Sequence, residues 1–226
     1  MSFRPPPPER VMLSGPAGLL EAVVEEPENY PGRRCAIVCH PHPLHGGSKD
    51  HPFLWAVRAD LANRGFAVVS FNFRGVMGSE GSHGAGVGEV ADARAAIGFA
   101  VAHAPGALLL FGWSFGANVA LREAMDDERV GAVALAGTPL ATDRLADLPP
   151  LPSAAALGAY PSPVLLVSGD RDPFSPAGEV RILARKLAAA KVEIVPGADH
   201  FFARMERQAA GILGAFAESA LPETSG

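Results

Sequence analysis

The sequence predicts an α/β protein built on one mostly parallel sheet of about seven or eight strands, covered by helices on both faces. Three observations predict it. Short, continuously apolar runs such as Arg33 to His40, Phe66 to Phe73 and Leu108 to Phe111 have the length and composition of strands buried on both sides. Stretches with helical spacing separate them, so strand and helix alternate along the chain. A length of 226 residues with 48% hydrophobic side chains suits one core and one domain.

The elements follow in order. Met12 to Glu25 holds two short apolar runs broken by Ser14-Gly15-Pro16-Ala17-Gly18, the pattern of a hairpin. Arg33 to His40 (RRCAIVCH) opens the central sheet. After a loop to Asp50, the segment Pro52 to Arg64 places Phe53, Leu54, Val57 and Leu61 at helical spacing, with Gly65 as the stop. Phe66 to Phe73 is a strand and Glu89 to Ala102 an Ala-rich helix. Leu108 to Phe111 is a third buried strand, followed at once by Gly112-Trp113-Ser114-Phe115-Gly116 and a helix running to Met125. Val130 to Ala136 and Pro163 to Ser168 are strands, Ala177 to Ala189 a helix, Val192 to Val195 a strand, and Ala203 to Ala220 the closing helix. Parallel neighbours require crossover connections, which are right-handed.

Residues 1–10 are expected to be a flexible N-terminal segment, 11–221 the domain and 222–226 a flexible tail. Between Gly137 and Tyr160 lies a connection rich in Pro, Ala and Leu, with a short helix expected near Ala154 and too few residues for a cap domain. Its Leu140, Leu145, Leu148, Leu151 and Leu157 either line an apolar pocket or cover the sheet.

Composition narrows the function classes. The 24 acidic and 19 basic side chains give a net charge of -5 and are interspersed, which argues against a nucleic-acid partner. Mean hydropathy is +0.17, yet no apolar run reaches the roughly 18–20 residues of a membrane span. The proline-rich start, Pro5 to Pro8, matches neither a signal peptide nor a targeting helix. A cytoplasmic monomer or homodimer with no membrane partner is expected. Cys35 and Cys39 in one strand point to the same face about 13 Å apart, beyond disulfide reach, and are expected to be buried thiols.

Gly112-x-Ser114-x-Gly116 sits between a buried strand and a helix, the context in which this pattern carries chemistry. A sharp strand-to-helix turn brings backbones together, so small residues are needed two before and two after the serine. Serine needs a base to remove its proton and a third group to orient that base. Gly169-Asp170-Arg171-Asp172 follows one strand, and His200 follows the next after Pro196-Gly197-Ala198-Asp199. Both lie at carboxyl ends of strands, where open α/β sheets place their sites.

The order Ser, Asp, His is that of the α/β-hydrolases. Over nearly its full length the chain resembles that superfamily, and within it the small uncapped bacterial hydrolases related to dienelactone hydrolase and short-chain esterases. The closer likeness rests on His40-Pro41-His42-Pro43-Leu44-His45-Gly46-Gly47, on Asn72-Phe73-Arg74-Gly75-Val76 with Gly78 and Ser79, and on Gly169 to Pro176. The resemblance implies Ser114 as nucleophile, His200 as base and Asp172, ahead of Asp170, as the orienting acid. It implies an oxyanion hole from the backbone amides of Phe115 and His42. Pro41 stands where the family usually has glycine, and Leu44 is the alternative second donor, because proline has no N–H.

The expected reaction is hydrolysis of small or short-chain esters through an acyl-enzyme, with no cofactor. Thioester or lactone hydrolysis with the same triad, and a non-catalytic binding protein on the same fold, are the alternatives. Dienelactone-type enzymes usually carry cysteine at the position of Ser114, so that substrate does not transfer. Trp113, Leu44, Leu140 and Arg74 are candidate pocket residues, with Arg74 either tying its loop or reading a substrate carboxylate. Phe201 and Phe202 are expected to pack the last helix. His40, His42, His45 and His51 are crowded, but intervening prolines and the lack of a completing carboxylate or cysteine argue against a metal. His40 is expected to anchor its loop, and His45 and His51 to lie at a pocket rim or in solvent.

Overall fold

The computed structural model describes residues 8–27, 30, 32–140 and 147–223. In chain order its elements are β1 (Glu9–Gly15), β2 (Gly18–Glu25), β3 (Arg34–Cys39), α1 (Pro52–Asn63), β4 (Ala67–Phe71), α2 (Val87–His103) and β5 (Ala107–Trp113). They continue with α3 (Phe115–Ala124), β6 (Val130–Ala136), α4 (Ala154–Ala159), β7 (Val164–Gly169), α5 (Ala177–Ala184), β8 (Ala190–Val195) and α6 (Glu206–Ala220). The eight strands form one sheet in the order β1-β2-β4-β3-β5-β6-β7-β8. Only the β1–β2 and β2–β4 pairings are antiparallel.

The near-continuous apolar strands are explained by cover on both faces. Along β3, Cys35, Ile37 and Cys39 face a core shared with α2, α3 and α5, while Ala36 and Val38 face a second core shared with α1 and α6. Both cysteines are free and buried on the same side of the strand, and burial pushes the Cys35 thiol up to about 11. No cap domain is present among the described residues. Within the Gly137–Tyr160 connection, α4 stands where a short helix was expected, with Ser153 as its N-cap accepting from the Ala156 amide. Leu157 is buried in the sheet core and Leu140 and Leu148 pack against it, whereas Leu151 is exposed. Leu145 lies outside the described residues.

Three boundaries differ from the sequence expectation. Strand β1 begins at Glu9, inside the segment expected to be flexible, and pairs at once with Val24. Helix α5 ends at Ala184, five residues early, because the chain tightens through Lys186 N–H to Leu183 O (3.0 Å) and Leu187 N–H to Ala184 O (3.1 Å). Helix α6 begins at Glu206 because Phe202 (φ 53°) and Arg204 (φ 65°) take left-handed conformations that a helix forbids. That twist drives Phe202 into the core against Phe53, ring centroids 4.8 Å apart. At the far end of the chain, Glu223 pairs with the buried guanidinium of Arg34 at 2.9 Å, and Arg34 also donates to the Leu221 carbonyl.

The order in which strands are added reverses between β3 and β5: from β3 the chain steps outward to β4, then returns past β3 to β5. The crevice above such a switch point is where α/β sheets bind ligands. The loop after β3 and the turn after β5 flank it here.

Phe53 ties this architecture together. It is fully buried under α1 against Phe111, Trp113 and Phe202. Phe53→Ala is expected to destabilise the protein by about 3–5 kcal/mol, measured as a lowered urea midpoint at unchanged slope.

Candidate active site

The turn after β5 is forced by close backbone packing. A Cβ on Gly112 would collide with the Gly116 carbonyl, and one on Gly116 with the carbonyls of Cys39 and His40 at the end of β3. With both side chains absent, α3 starts directly above the sheet. Ser114 between them is held at φ 56° and ψ -123°, a conformation that non-glycine residues avoid. Its amide donates to the Ala136 carbonyl (2.9 Å), and Ala117 N–H closes the turn on the Ser114 carbonyl (2.8 Å).

The side chains that meet Ser114 come from the loops after β7 and β8. His200 Nε2 lies 2.9 Å from Ser114 Oγ, and His200 Nδ1 lies 2.8 Å from Asp172 Oδ2. Asp172 Oδ1 accepts the amides of Phe174 (2.8 Å) and Ser175 (3.0 Å), so one oxygen is locked by backbone while the other faces the imidazole. A carboxylate held this way requires the Nδ1–H tautomer of His200, which leaves Nε2 as acceptor for the serine proton. Asp170 does a different job: its Oδ1 accepts from Gly197 N–H at 2.7 Å and ties the β7 and β8 loops together. Ser168, buried at the end of β7, donates to the Ser175 carbonyl (2.6 Å) and closes the Asp172 loop.

Two further residues fit the triad closely. Trp113 Nε1–H donates to the His200 carbonyl at 3.1 Å, fixing the backbone of the base. Gly137 follows β6 at φ 54°, and a Cβ there would sit 3.2 Å from the His200 ring and 3.3 Å from Asp172 Oδ2. Gly137 lies beneath the His–Asp pair, a role the sequence did not reveal, although its position immediately after a buried strand was a signal.

The His40-to-Gly47 loop curls over the crevice. His45 N–H and Gly47 N–H both donate to the His42 carbonyl (3.1 and 3.0 Å), and a Cβ on Gly47 would strike the Pro41 carbonyl. Leu44 N–H is spent on His42 Nδ1 (3.2 Å). His40 is fully buried at the strand end and bridges two loops: Nε2 accepts Phe73 N–H (2.9 Å) and Nδ1 faces Pro41 O (2.6 Å). Its ring is therefore neutral with the proton on Nδ1, and burial pulls its pKa down to about 3.

A pocket of about 410 Å³ opens over Ser114 and His200. One wall is the loop, through Pro41, His42, His45 and Gly47; the other is His51, Trp113, Phe174 and Phe201. Leu44, Leu140 and Arg74 do not line it. Leu44 points to solvent at 62% exposure. Leu140 packs on the core, its amide donating to Phe174 O (2.9 Å). The Arg74 guanidinium is engaged by the buried Asp92, at 2.7 Å from Nη2 and 2.9 Å from Nε, so it ties its loop to α2. Phe201 corrects the sequence expectation, since it faces the pocket while only Phe202 packs inward. Among the described residues no cluster of His, Cys, Asp or Glu is placed to hold a metal ion, and no helix is long and apolar enough to cross a membrane.

A family model described as an alpha/beta hydrolase domain matches residues 36–220. The chain belongs to the alpha/beta hydrolase family. It is 31% identical over 201 residues to an uncharacterized protein of Rickettsia prowazekii, covering 85% of this chain and 82% of that one. An alpha-beta serine hydrolase homologue from Coxiella burnetii superposes with a TM-score of 0.81 at 30% identity, over 92% of this chain and 96% of that one. A Xanthomonas campestris serine hydrolase described as lacking a lid gives 0.80 at 30% identity over the whole of both chains.

The geometry of this hydrolase sets two expectations. Ser114→Gly and Ser114→Ala both remove the hydroxyl, but only alanine keeps the strained Cβ. The glycine variant should be more stable by about 1 kcal/mol, the strain relieved outweighing the added flexibility of the unfolded chain, as read by denaturant unfolding. His40 stays neutral in the folded state down to about pH 3, whereas in the unfolded chain it takes up a proton near pH 6.5. The unfolded state thus binds more protons in this window, so stability is full above pH 6.5 and falls on acidification toward pH 3. The loss approaches about 1.4 kcal/mol per pH unit from this group. Urea midpoints between pH 7 and 4.5 should show a shallower slope for His40→Gln than for the natural protein.

Proposed function

We propose that this protein is a serine esterase that cleaves small, uncharged carboxylic esters through an acyl-enzyme. The single observation that carries the reading is the continuous hydrogen-bonded line from Ser114 Oγ through the His200 ring to Asp172, at 2.9 and 2.8 Å, in a pocket open to solvent. Ser114 Oγ attacks the ester carbonyl as His200 Nε2 takes its proton. His200 then returns that proton to the departing alkoxide, and an alcohol leaves. Water, deprotonated by the same nitrogen, hydrolyses the acyl-serine, and the proton goes back to Ser114. Asp172 holds the ring and offsets the charge of the imidazolium.

The oxyanion formed at each step needs donors, and two backbone amides support the reading. Phe115 is the first residue of α3, whose N–H has no partner within the helix. On the other side, His40 holds the Pro41 carbonyl, and the chain contains no cis peptide among the described residues. In a trans peptide C=O and N–H point opposite ways, so the clamp on Pro41 turns the His42 N–H away from His40 and toward the crevice. Leu44 is the poorer candidate because its amide already serves His42.

Thioesters and lactones would follow the same steps. The likeness to dienelactone hydrolases is taken as one of fold, given the serine at 114 and an Arg74 engaged by Asp92. A retained fold without activity would not need a base aligned on a strained serine. Free buried cysteines suit a cytoplasmic setting.

The test is labelling with a fluorophosphonate, read by intact mass and peptide mapping. One adduct on Ser114 is expected, absent in Ser114→Ala and strongly slowed in His200→Ala. Asp172→Asn should lower kcat by about 10⁴ while the fold is kept. A folded protein that takes up no label and hydrolyses no ester would refute the assignment.

A further inference from the structure

With Ser114 as an acyl-transfer nucleophile, the pocket walls narrow the choice of ester. The wall opposite the His42 loop is aromatic. Phe174 and Phe201 flank the His200 ring at centroid distances of 4.8 and 5.5 Å, and Phe201 meets Trp113 edge-on at 6.2 Å. His51 also packs on Trp113, ring centroids 4.5 Å apart. Flat, rigid faces of this kind match a planar ring better than a flexible chain, which would have to be ordered against them.

Charge narrows the choice further. Apart from imidazoles, none of the described residues lining this pocket carries an ionisable side chain that could meet an ion. Arg74, on the neighbouring loop, is bound bidentately to Asp92. A carboxylate on the substrate would lose water and meet no Lys or Arg among the described residues of this pocket.

One polar group on the aromatic wall has an assigned hydrogen. His51 is the N-cap of α1, and its Nδ1 accepts Phe53 N–H at 3.2 Å. Burial lowers its pKa and favours the neutral ring. A neutral imidazole that accepts at Nδ1 carries its proton on Nε2, so His51 brings a hydrogen-bond donor to a wall otherwise made of ring faces.

We propose that the pocket selects neutral esters bearing a planar aryl group with an oxygen substituent, the ring lying against Trp113, Phe174 and Phe201 and the oxygen accepting from His51 Nε2–H. This rests on the serine esterase reading and names its substrate class. His51 thereby acts as a specificity-determining residue at one end of the site, distant in sequence from all three triad members.

The experiment measures kcat and KM on four methyl esters with a common alcohol: methyl (4-methoxyphenyl)acetate, methyl phenylacetate, methyl octanoate and methyl (4-carboxyphenyl)acetate. The methoxyphenyl ester is expected to lead methyl octanoate and the carboxyphenyl ester by about tenfold in kcat/KM, and methyl phenylacetate by about fivefold. His51→Asn keeps an N-cap oxygen for α1, so it should fold, but it has no atom at the Nε2 position and its amide N–H is set back from the reach of the imidazole donor. In it the fivefold preference for the methoxy group should vanish, mainly through KM. Phe201→Ala, on the exposed loop, should reduce the aryl-over-octanoate ratio. Equal or faster turnover of methyl octanoate or the carboxyphenyl ester, or an undiminished methoxy preference in His51→Asn, overturns the proposal. So does failure of all four esters in a protein that still labels at Ser114. Failure to label at Ser114 instead brings down the esterase reading itself.

Discussion

The close approach of α3 to the carboxyl end of β3 is the constraint on which the rest depends. Gly112 and Gly116 let two backbones come together with no side chain between them, and the carbonyls of Cys39 and His40 lie in the space a methyl group would need. From that contact follow the strained turn at Ser114, the start of α3 one residue later, and the distance between the nucleophile and the loop that continues from His40. The hydrogen bonds of the site are individually modest. They can form because this contact leaves the serine no other place to be.

Around that fixed point the loops are locked in pairs. The β7 loop is tied to the β8 loop through Asp170 and Gly197, and to itself through Ser168 and Ser175. The β3 loop is tied to the end of β4 through His40 and Phe73. Trp113 links the nucleophile's own strand to the backbone of the base. Apart from the exposed Asp170–Gly197 link, each tie uses a buried donor or acceptor that would be costly to leave unmade, so the site is rigid through backbone hydrogen bonds more than through ionic attraction.

Much of this was legible in the sequence, for identifiable reasons. The strands buried on both faces announce themselves as apolar runs, and each triad residue lies just after one of them, so the topology alone brings Ser114, Asp172 and His200 together. Asp172 was separated from Asp170 only by resemblance; in the fold the distinction is that Asp172 meets two amides and an imidazole while Asp170 caps a turn. The pocket was legible only in part: Trp113 was expected in it and His45 and His51 at its rim or in solvent, and all three line it. His51, Phe174 and Phe201 sit on three different loops, and their convergence depends on features such as the left-handed Phe202 that composition does not show. Arg74 looked available because its partner, Asp92, is a buried residue one face into a helix. The two residues expected to behave alike, Phe201 and Phe202, part company at a single backbone torsion.

The ion pair between Arg34 and Glu223 has a practical meaning. Arg34 begins β3, so it marks the end of the sheet opposite the one where Ser114 and His200 stand. The chain's last described residues are thus anchored to the underside of the molecule, with the pocket on top. A bead, an electrode surface or a second protein coupled at Glu223 would sit on that underside, on the far side of the molecule from the pocket mouth.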